Sequence, residues 1–213
     1  NAGVELDSSL ERINDNVCKN SKGIINFAKK NKIDLTIVGP EKYLVDGIVD
    51  KFKAEGLKII GPTKKAANLE GSKSEAKLFM SRHNIETAQY ELFSNCQKAL
   101  NYVKNCKFPL VIKADGLASG KGVFIVQEPQ EAKKIIVELL KEDKFGKAGS
   151  RILIEEFIVG KELSFIVLTD GINVFPFPIC QDYKKLKAGN FGPNTGGMGA
   201  YSPVDFVDEE LVS

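Results

Sequence analysis

Lys113 and the glycines that follow it are the residues of this chain best suited to handling a phosphorylated ligand. The stretch Leu110 to Val123, LVIKADGLASGKGV, runs from an apolar strand into a turn holding Gly116, Gly120 and Gly122, and leaves as a second apolar strand. A loop of glycines lets backbone N–H groups crowd around phosphate oxygens without side-chain collisions. Ser119 and Lys121 stand between those glycines. Two familiar phosphate loops are excluded by counting. A Walker A loop needs four residues between its first Gly and the Gly-Lys pair, then Ser or Thr; Leu117, Ala118 and Ser119 make three, and Gly122 follows Lys121. A dinucleotide fingerprint opens a helix, whereas Gly120 and Gly122 lead into Phe124 and Ile125 of a strand. A hairpin flap able to close over a triphosphate remains, beside the plainer alternative of a mobile hairpin without a ligand. Period-2 alternation puts Lys113 on the face of Val111, where pairing with phosphate would offset the desolvation of its ammonium. The plainer alternative is a lysine that snorkels to solvent.

Further candidates stand apart from the flap. Ile152 and Ile154 share one strand face with Glu156, and Leu153 shares the other with Glu155, so two adjacent carboxylates end an otherwise apolar strand. Ion-paired surface glutamates are the ordinary explanation of such a pair. Lys73 falls in the first turn of an expected helix, where its charge opposes the macrodipole, a misplacement that favours a ligand over a solvated lysine. Nucleophilic chemistry has little to work with: the chain has one histidine, His83, and no residue is assigned as nucleophile or base. The cysteines Cys18, Cys96, Cys106 and Cys180 form no C-x-x-C pair, which excludes the usual Cys/His zinc sites and reads as a reduced, cytoplasmic chain.

The elements that must position these residues alternate between helical and strand-like signals, the pattern of an α/β protein. A helix is expected after Ser21, with its hydroxyl as N-cap and Ile24, Ile25, Phe27 and Ala28 on one side. Strand Leu35 to Val38 stops at Gly39-Pro40, a helix carries Leu44, Val45, Ile48, Val49 and Phe52 to Gly56, and strand Leu57 to Ile60 stops at Gly61-Pro62. Strand-Gly-Pro-helix units in succession imply a parallel sheet. A second part begins near Ser72, where Ser72 and Glu75 form a capping box and Ala76, Phe79, Met80 and His83 line a helical face. Then come strand Tyr90 to Phe93, a helix capped by Ser94 with Gln97, strand Leu110 to Lys113, strand Val123 to Val126, and a helix burying Ala132, Ile135, Ile136, Leu139 and Leu140. Strands Ile152 to Phe157, Leu163 to Thr169 and Asn173 to Phe175 follow, the last two joined across Asp170-Gly171. The fold class is α/β: a partial N-terminal parallel α/β domain over residues 1–70, then an α+β domain over residues 71–213 with a small lid at about 85–153.

Composition narrows the partners. Among 213 residues, 30 Lys+Arg face 28 Asp+Glu, a net charge of +2 that supplies no field making nucleic acid or an anionic membrane the expected partner. No run of 18 uncharged apolar residues occurs, and the first residues lack an initiator Met and a signal pattern, so a trimmed or partial chain is expected.

Four stretches, taken in order, closely resemble one family. GPTKKAANLEGSK (61–73), KADGLASGKGV (113–123), IEEFIVGKELSF (154–165), and QDYK (181–184) followed by GPNTGGMGAYSP (192–203) are similar to phosphoribosylamine-glycine ligase, also called glycinamide ribonucleotide synthetase, an ATP-grasp enzyme of purine biosynthesis. The resemblance runs at compatible spacing from about Ile33 onward. It implies that ATP, glycine and 5-phosphoribosylamine give glycinamide ribonucleotide, ADP and phosphate through a glycyl phosphate, with Mg2+ or Mn2+ on the nucleotide. It also implies small-molecule partners only, a cytoplasmic location and a monomer.

The same resemblance implies roles for individual residues. Lys73 and Lys113 approach the ATP phosphates, and Gly116, Ser119, Gly120, Lys121 and Gly122 close over them. Glu155, Glu156 and Ile158 read the adenine edge, and Glu162 accepts from the ribose hydroxyls, as suits a carboxylate that only accepts. Asp182 receives the glycine ammonium with Lys184 nearby, while Tyr183 stands where the family commonly has His. Asn194, Thr195, Gly196, Gly197 and Gly199 form a loop for phosphoribosylamine, and Gly39, Pro40 and Glu41 form another wall of that site. The plainer readings are a flexible surface loop and an ordinary strand-to-helix turn. Family members hold metal with a Glu and an Asn expected beyond Ser213, and Glu209 and Glu210 lack that apolar context, so no residue of this chain is assigned to metal and the chain alone is expected not to turn over. The competing expectations are another ATP-grasp carboxylate-amine ligase and a non-catalytic nucleotide-binding module.

Overall fold

The computed structural model describes residues 9–13, 16–118, 120–208 and 211. The chain divides into two compact units, residues 1–86 and residues 87–213. In the first, helix α1 (Ser21–Lys30) is capped by Asn20, whose side chain accepts from Gly23 N at 2.9 Å. The expected cap, Ser21, is already helical; Asn20 has the extended backbone (φ −154°, ψ 164°) that a cap requires. Strands β1 (Thr36–Ile37) and β2 (Ile59–Ile60) pair in parallel, as the strand-helix succession implies. The single helix expected between them is two, α2 (Glu41–Val45) and α3 (Ile48–Ala54), separated at Gly47 with φ +80°. The break turns Ile48, Val49 and Phe52 into a small core with Ala28, flanked by Ile24, Val38, Leu44 and Ile59.

Helix α4 (Lys64–Gly71) is capped by Thr63, and α5 (Lys73–Arg82) by Ser72, which accepts from Glu75 N at 3.3 Å as the capping box anticipates. The expected apolar stripe of α5 is not its buried face. Ser74 and Lys77 are buried, while Phe79 packs on His83 with ring centroids 4.4 Å apart.

The second unit is built on a four-stranded sheet of order β3-β6-β4-β5, every pair antiparallel. Its strands are β3 (Tyr90–Phe93), β4 (Leu110–Ala114), β5 (Val123–Val126) and β6 (Ile152–Glu156). Helix α6 (Cys96–Val103) follows β3, and α7 (Pro129–Leu140) follows β5. Asn95 caps α6 by accepting from Lys98 N at 3.0 Å, displacing the expected Ser94. Register decides which residues meet. Leu110, Ile112, Ala114, Val126, Ile152 and Ile154 form one face and are buried with Ala99 and Val103 of α6 and Ala132, Ile136 and Leu139 of α7. The opposite face carries Val111, Lys113, Leu153 and Glu155, with Tyr90 and Leu92 from β3. Both helices therefore cover the same side.

After β6 the chain makes two hairpins. Strands β7 (Val167–Thr169) and β8 (Val174–Pro176) join through Asp170, whose side chain accepts from Ile172 N at 2.9 Å and Asn173 N at 2.7 Å. These backbone donors, led by Asn173, hold the Asp170 carboxyl down at about 2. The long strand expected from Leu163 is shorter because Ser164 makes only an isolated bridge to Cys180. Strands β9 (Gln181–Lys187) and β10 (Phe191–Tyr201) form the last pair, so the expected loop of GPNTGGMGAYSP is largely strand, with register shifts before and after Asn194. Among the described residues no helix is long and apolar enough to cross a membrane, and the four cysteines are free.

Ile112 is fully buried between sheet and helices, whereas Ile172 at the β7–β8 turn is 91% exposed. Ile112→Ala is expected to lower unfolding stability by about 2–5 kcal/mol. Ile172→Ala is expected to change it by less than about 0.5 kcal/mol. Denaturant titration of both variants checks the assignment, and equal effects would contradict it.

Candidate functional site

The glycine hairpin grows directly from β4 and β5. Ala114 N donates to Gly122 O at 2.8 Å, and Lys121 N to Ala118 O at 2.9 Å. That second bond closes a turn in which Gly120 has φ +74°, a conformation that disfavours any side chain. Gly122 is required by space instead: a Cβ there would lie 2.7 Å from Ala118 Cβ and 3.1 Å from Ala114 Cβ. The root of the hairpin is fixed through Asp115. Its Oδ2 accepts from Arg151 Nε at 3.0 Å and pairs with Arg151 Nη2 at 2.9 Å, while Asp115 N donates to Arg151 O at 3.0 Å. Gly116 N adds a bond to Ala148 O at 3.0 Å. A tied root and an exposed tip at Gly120 and Lys121 are the mechanical requirements of a flap. Ser119 lies outside the described residues.

Lys113 is half-buried on the sheet face turned away from the helices. Its Nζ stands 2.7 Å from Glu155 Oε2, with 28% of the Lys113 side chain exposed and 3% of Glu155. The register puts Val111 opposite Glu155 and Lys113 opposite Leu153, so the pair crosses diagonally between β4 and β6. Removing either partner of a pair this buried leaves an uncompensated charge, at a cost of about 3–5 kcal/mol. Glu155 is therefore not one of two solvated surface glutamates. The adjacent Glu156 serves the backbone instead. Its Oε1 accepts from Gln89 N at 2.8 Å, and Glu156 N donates to Gln89 O at 3.0 Å, which ties the start of β3 to the end of β6. Ile158, just beyond, is 62% exposed.

A second charged group gathers around β9. Lys184 Nζ lies 3.2 Å from Glu162 Oε2 and 3.6 Å from Asp182 Oδ2. Burial alone would lower the Lys184 ammonium, but the hydrogen bond to Glu162 and the charges of Glu162 and Asp182 outweigh it and hold the lysine above its usual range. Alternation sends Tyr183 to the other face of β9, where it stacks on Tyr201 at 6.0 Å. Thr195 fastens the hairpin end: its Oγ1 donates to Lys184 O at 2.9 Å and accepts from Gly197 N at 3.1 Å. The Gly197 N–H is thus already engaged, while Gly196 and Gly199 face open space. Asn194 pairs through its backbone with Lys185. A Cβ at Gly120 would stand 3.9 Å from Thr195 O, so the flap tip and the β9–β10 hairpin meet.

The remaining candidates belong to the first unit. Pro40 is the N-cap of α2, Glu41 lies in its first turn and Gly39 precedes it in the open, while Lys73 begins α5. Among the described residues no group of three His, Cys, Asp or Glu side chains could hold a metal ion. Sequence reasoning missed the Arg151–Asp115 clamp and the Thr195 fastening. Arg151 is 36 residues from Asp115, and only the β4–β6 pairing brings them together.

Both parts of the sequence match known proteins. Residues 1–70 match the model of the phosphoribosylglycinamide synthetase N domain, and residues 71–213 match that of the phosphoribosylglycinamide synthetase ATP-grasp (A) domain. A phosphoribosylamine–glycine ligase of Yersinia pestis is 49% identical over 211 residues, covering 99% of this chain and 49% of that protein. The chain thus spans about half the length of the curated relatives it matches. The crystal structure of the Thermotoga maritima phosphoribosylamine–glycine ligase superposes with a TM-score of 0.75 at 32% identity, over 97% of this chain and 49% of that one. A Campylobacter jejuni biotin carboxylase, solved as a complex with beta-gamma-ATP, shares the fold at TM-score 0.69 and 21% identity, over 90% of this chain and 42% of that one. An N-terminal domain with a parallel strand pair, a following ATP-grasp fold and matches along the whole sequence lead to one conclusion: the chain belongs to the phosphoribosylglycinamide synthetase family.

Proposed function

We propose that the second unit binds ATP against the Lys113–Glu155 face, beneath the glycine hairpin, and that the protein joins glycine to 5-phosphoribosylamine. The observation that carries this reading is a half-buried ammonium at the root of an anchored glycine flap, in a chain of this family. The chemistry proceeds in two displacements. A glycine carboxylate oxygen attacks the γ-phosphorus of ATP, which releases ADP and leaves a glycyl phosphate. The amine of phosphoribosylamine then attacks the acyl carbon, expels phosphate, loses a proton and yields glycinamide ribonucleotide. Neither step needs an enzyme nucleophile, so the protein contributes positioning and charge neutralisation.

Lys113 supplies positive charge to the phosphates, and the backbone N–H groups between Gly116 and Gly122 surround them. The segment from Glu155 to Ile158 presents its backbone to adenine, Glu162 accepts from the ribose, and Asp182 receives the glycine ammonium. In this reading Mg2+ or Mn2+ accompanies the triphosphate and adds further neutralisation, while the described residues offer no ligand cluster for it. The setting is de novo purine biosynthesis in the cytoplasm, by a monomer acting on small molecules.

Lys113→Ala is expected to weaken binding of a non-hydrolysable ATP analogue about tenfold or more, through loss of a charge-assisted contact of about 1.5–3 kcal/mol. Because that variant strands the Glu155 carboxylate, Lys113→Met/Glu155→Gln serves as the folded control. Calorimetric titration of both should show the loss, and wild-type affinity in the double variant would remove Lys113 from the site. Gly122→Ala forces Ala118 or the core residue Ala114 to move, so it should lower stability by about 1–3 kcal/mol and, in the folded variant, weaken the same analogue; unchanged affinity would sever the flap from binding.

A further inference from the structure

The sheet face that carries Lys113 holds a second ion pair. Alternation from Lys113 and Leu153 puts Asp115 and Arg151 on that same face, and Asp115 N donates to Arg151 O at 3.0 Å, which extends the β4–β6 pairing by one step. Both pairs are built the same way round. Glu155 has 3% of its side chain exposed against 28% for Lys113, and Asp115 has 11% against 41% for Arg151. In each pair the anion lies inward and the cation outward. The charges cancel in sum, yet the face presents two cations to whatever covers it.

The hold of Asp115 on Arg151 is one-sided. Nε at 3.0 Å and Nη2 at 2.9 Å both approach Oδ2, along one edge of the guanidinium. The planar fork carries further N–H donors beyond that edge, and among the described residues the guanidinium pairs with no other side chain. Position along β6 decides which part of a ligand those donors meet. Arg151 lies four residues from Glu155, on the order of 13 Å along the strand, with Lys113 opposite Leu153 midway between them. A nucleotide whose base rests at residues 155–158 and whose tail passes Lys113 ends at Arg151, beneath the root of the hairpin. We propose that Arg151 binds the terminal phosphate of a nucleoside triphosphate, with Asp115 fixing the plane of its guanidinium, and so separates triphosphate from diphosphate. The inference rests on the ATP reading above and adds a residue and the direction in which the nucleotide lies. Arginine suits the task, because its fork can take two oxygens of one phosphate where an ammonium acts as a point charge.

Calorimetry of the protein with a non-hydrolysable ATP analogue and with ADP tests the assignment. Arg151→Gln alone would strand the Asp115 carboxylate, so the variant is Arg151→Gln/Asp115→Asn, its fold checked by circular dichroism. It should bind the analogue about tenfold or more weakly while ADP affinity stays within about twofold of wild type. Arg151→Lys, which keeps a cation beside Asp115 and serves where the double variant does not fold, should lower the ratio of analogue to ADP affinity in the same direction but by less. A clamp that only holds the hairpin root would weaken both nucleotides alike. Equal weakening of the two, or an unchanged ratio in the folded variants, overturns the role of Arg151 and leaves ATP binding standing. Failure of the wild type to bind either nucleotide brings down the ATP reading, and the proposal with it.

Discussion

A carboxylate almost wholly withdrawn from water needs a cation beside it, and the second unit of this protein is arranged around that need. Glu155 has 3% of its side chain exposed, and Lys113 stands 2.7 Å away on the neighbouring strand. The pair exists because β4 and β6 run antiparallel in a register that puts Val111 across from Glu155. Slip either strand by one residue and its own charge would enter the packed face beside Ile112 and Ile154, parted from its partner and unsolvated. The ion pair and the helix-covered core therefore select the same register.

From that pair the rest of the candidate site extends outward with decreasing burial. The glycine hairpin begins one residue after Lys113, held at its root by the Arg151–Asp115 clamp and left exposed at its tip. The tip approaches Thr195, which fastens β10 to Lys184, which in turn touches Glu162 and Asp182. A rigid sheet thus supports a looser rim of exchangeable contacts. Such a gradient suits a site that must admit a nucleotide and then enclose it.

Much of this was legible in the sequence because the signals were local. Strand β5 falls on Val123 to Val126 as the apolar run leaving the glycine turn indicates, and the Ser72 cap follows from a glutamate three residues on. Caps at Asn20 and Asn95 were missed by one residue, since asparagine and serine stood side by side and only the backbone angles of the folded turn choose between them. The helix across Leu44 to Phe52 looked continuous because its apolar spacing persists through Gly47, whose positive φ is a tertiary choice. The strand character of Phe191 to Tyr201 was hidden by its glycines, and pairing with β9 overrides their weak preference. Alternation found the face of Lys113, but its partner lies 42 residues away and emerges only from register. The Lys184–Glu162 contact, 22 residues apart, was equally silent. Family membership was legible through ordered motifs rather than through any one residue, because none of the lysines or glutamates is distinctive alone.

The central claim is that the Lys113–Glu155 face and the hairpin above it are where a nucleotide triphosphate binds. Amide hydrogen exchange of the protein with and without a non-hydrolysable ATP analogue addresses it directly. Binding there predicts slowed exchange across residues 116–123 and at residues 155–158, with the helix-packed face of the sheet unchanged. Protection confined to other segments, with the hairpin amides exchanging at their free rate under saturating analogue, would contradict the account.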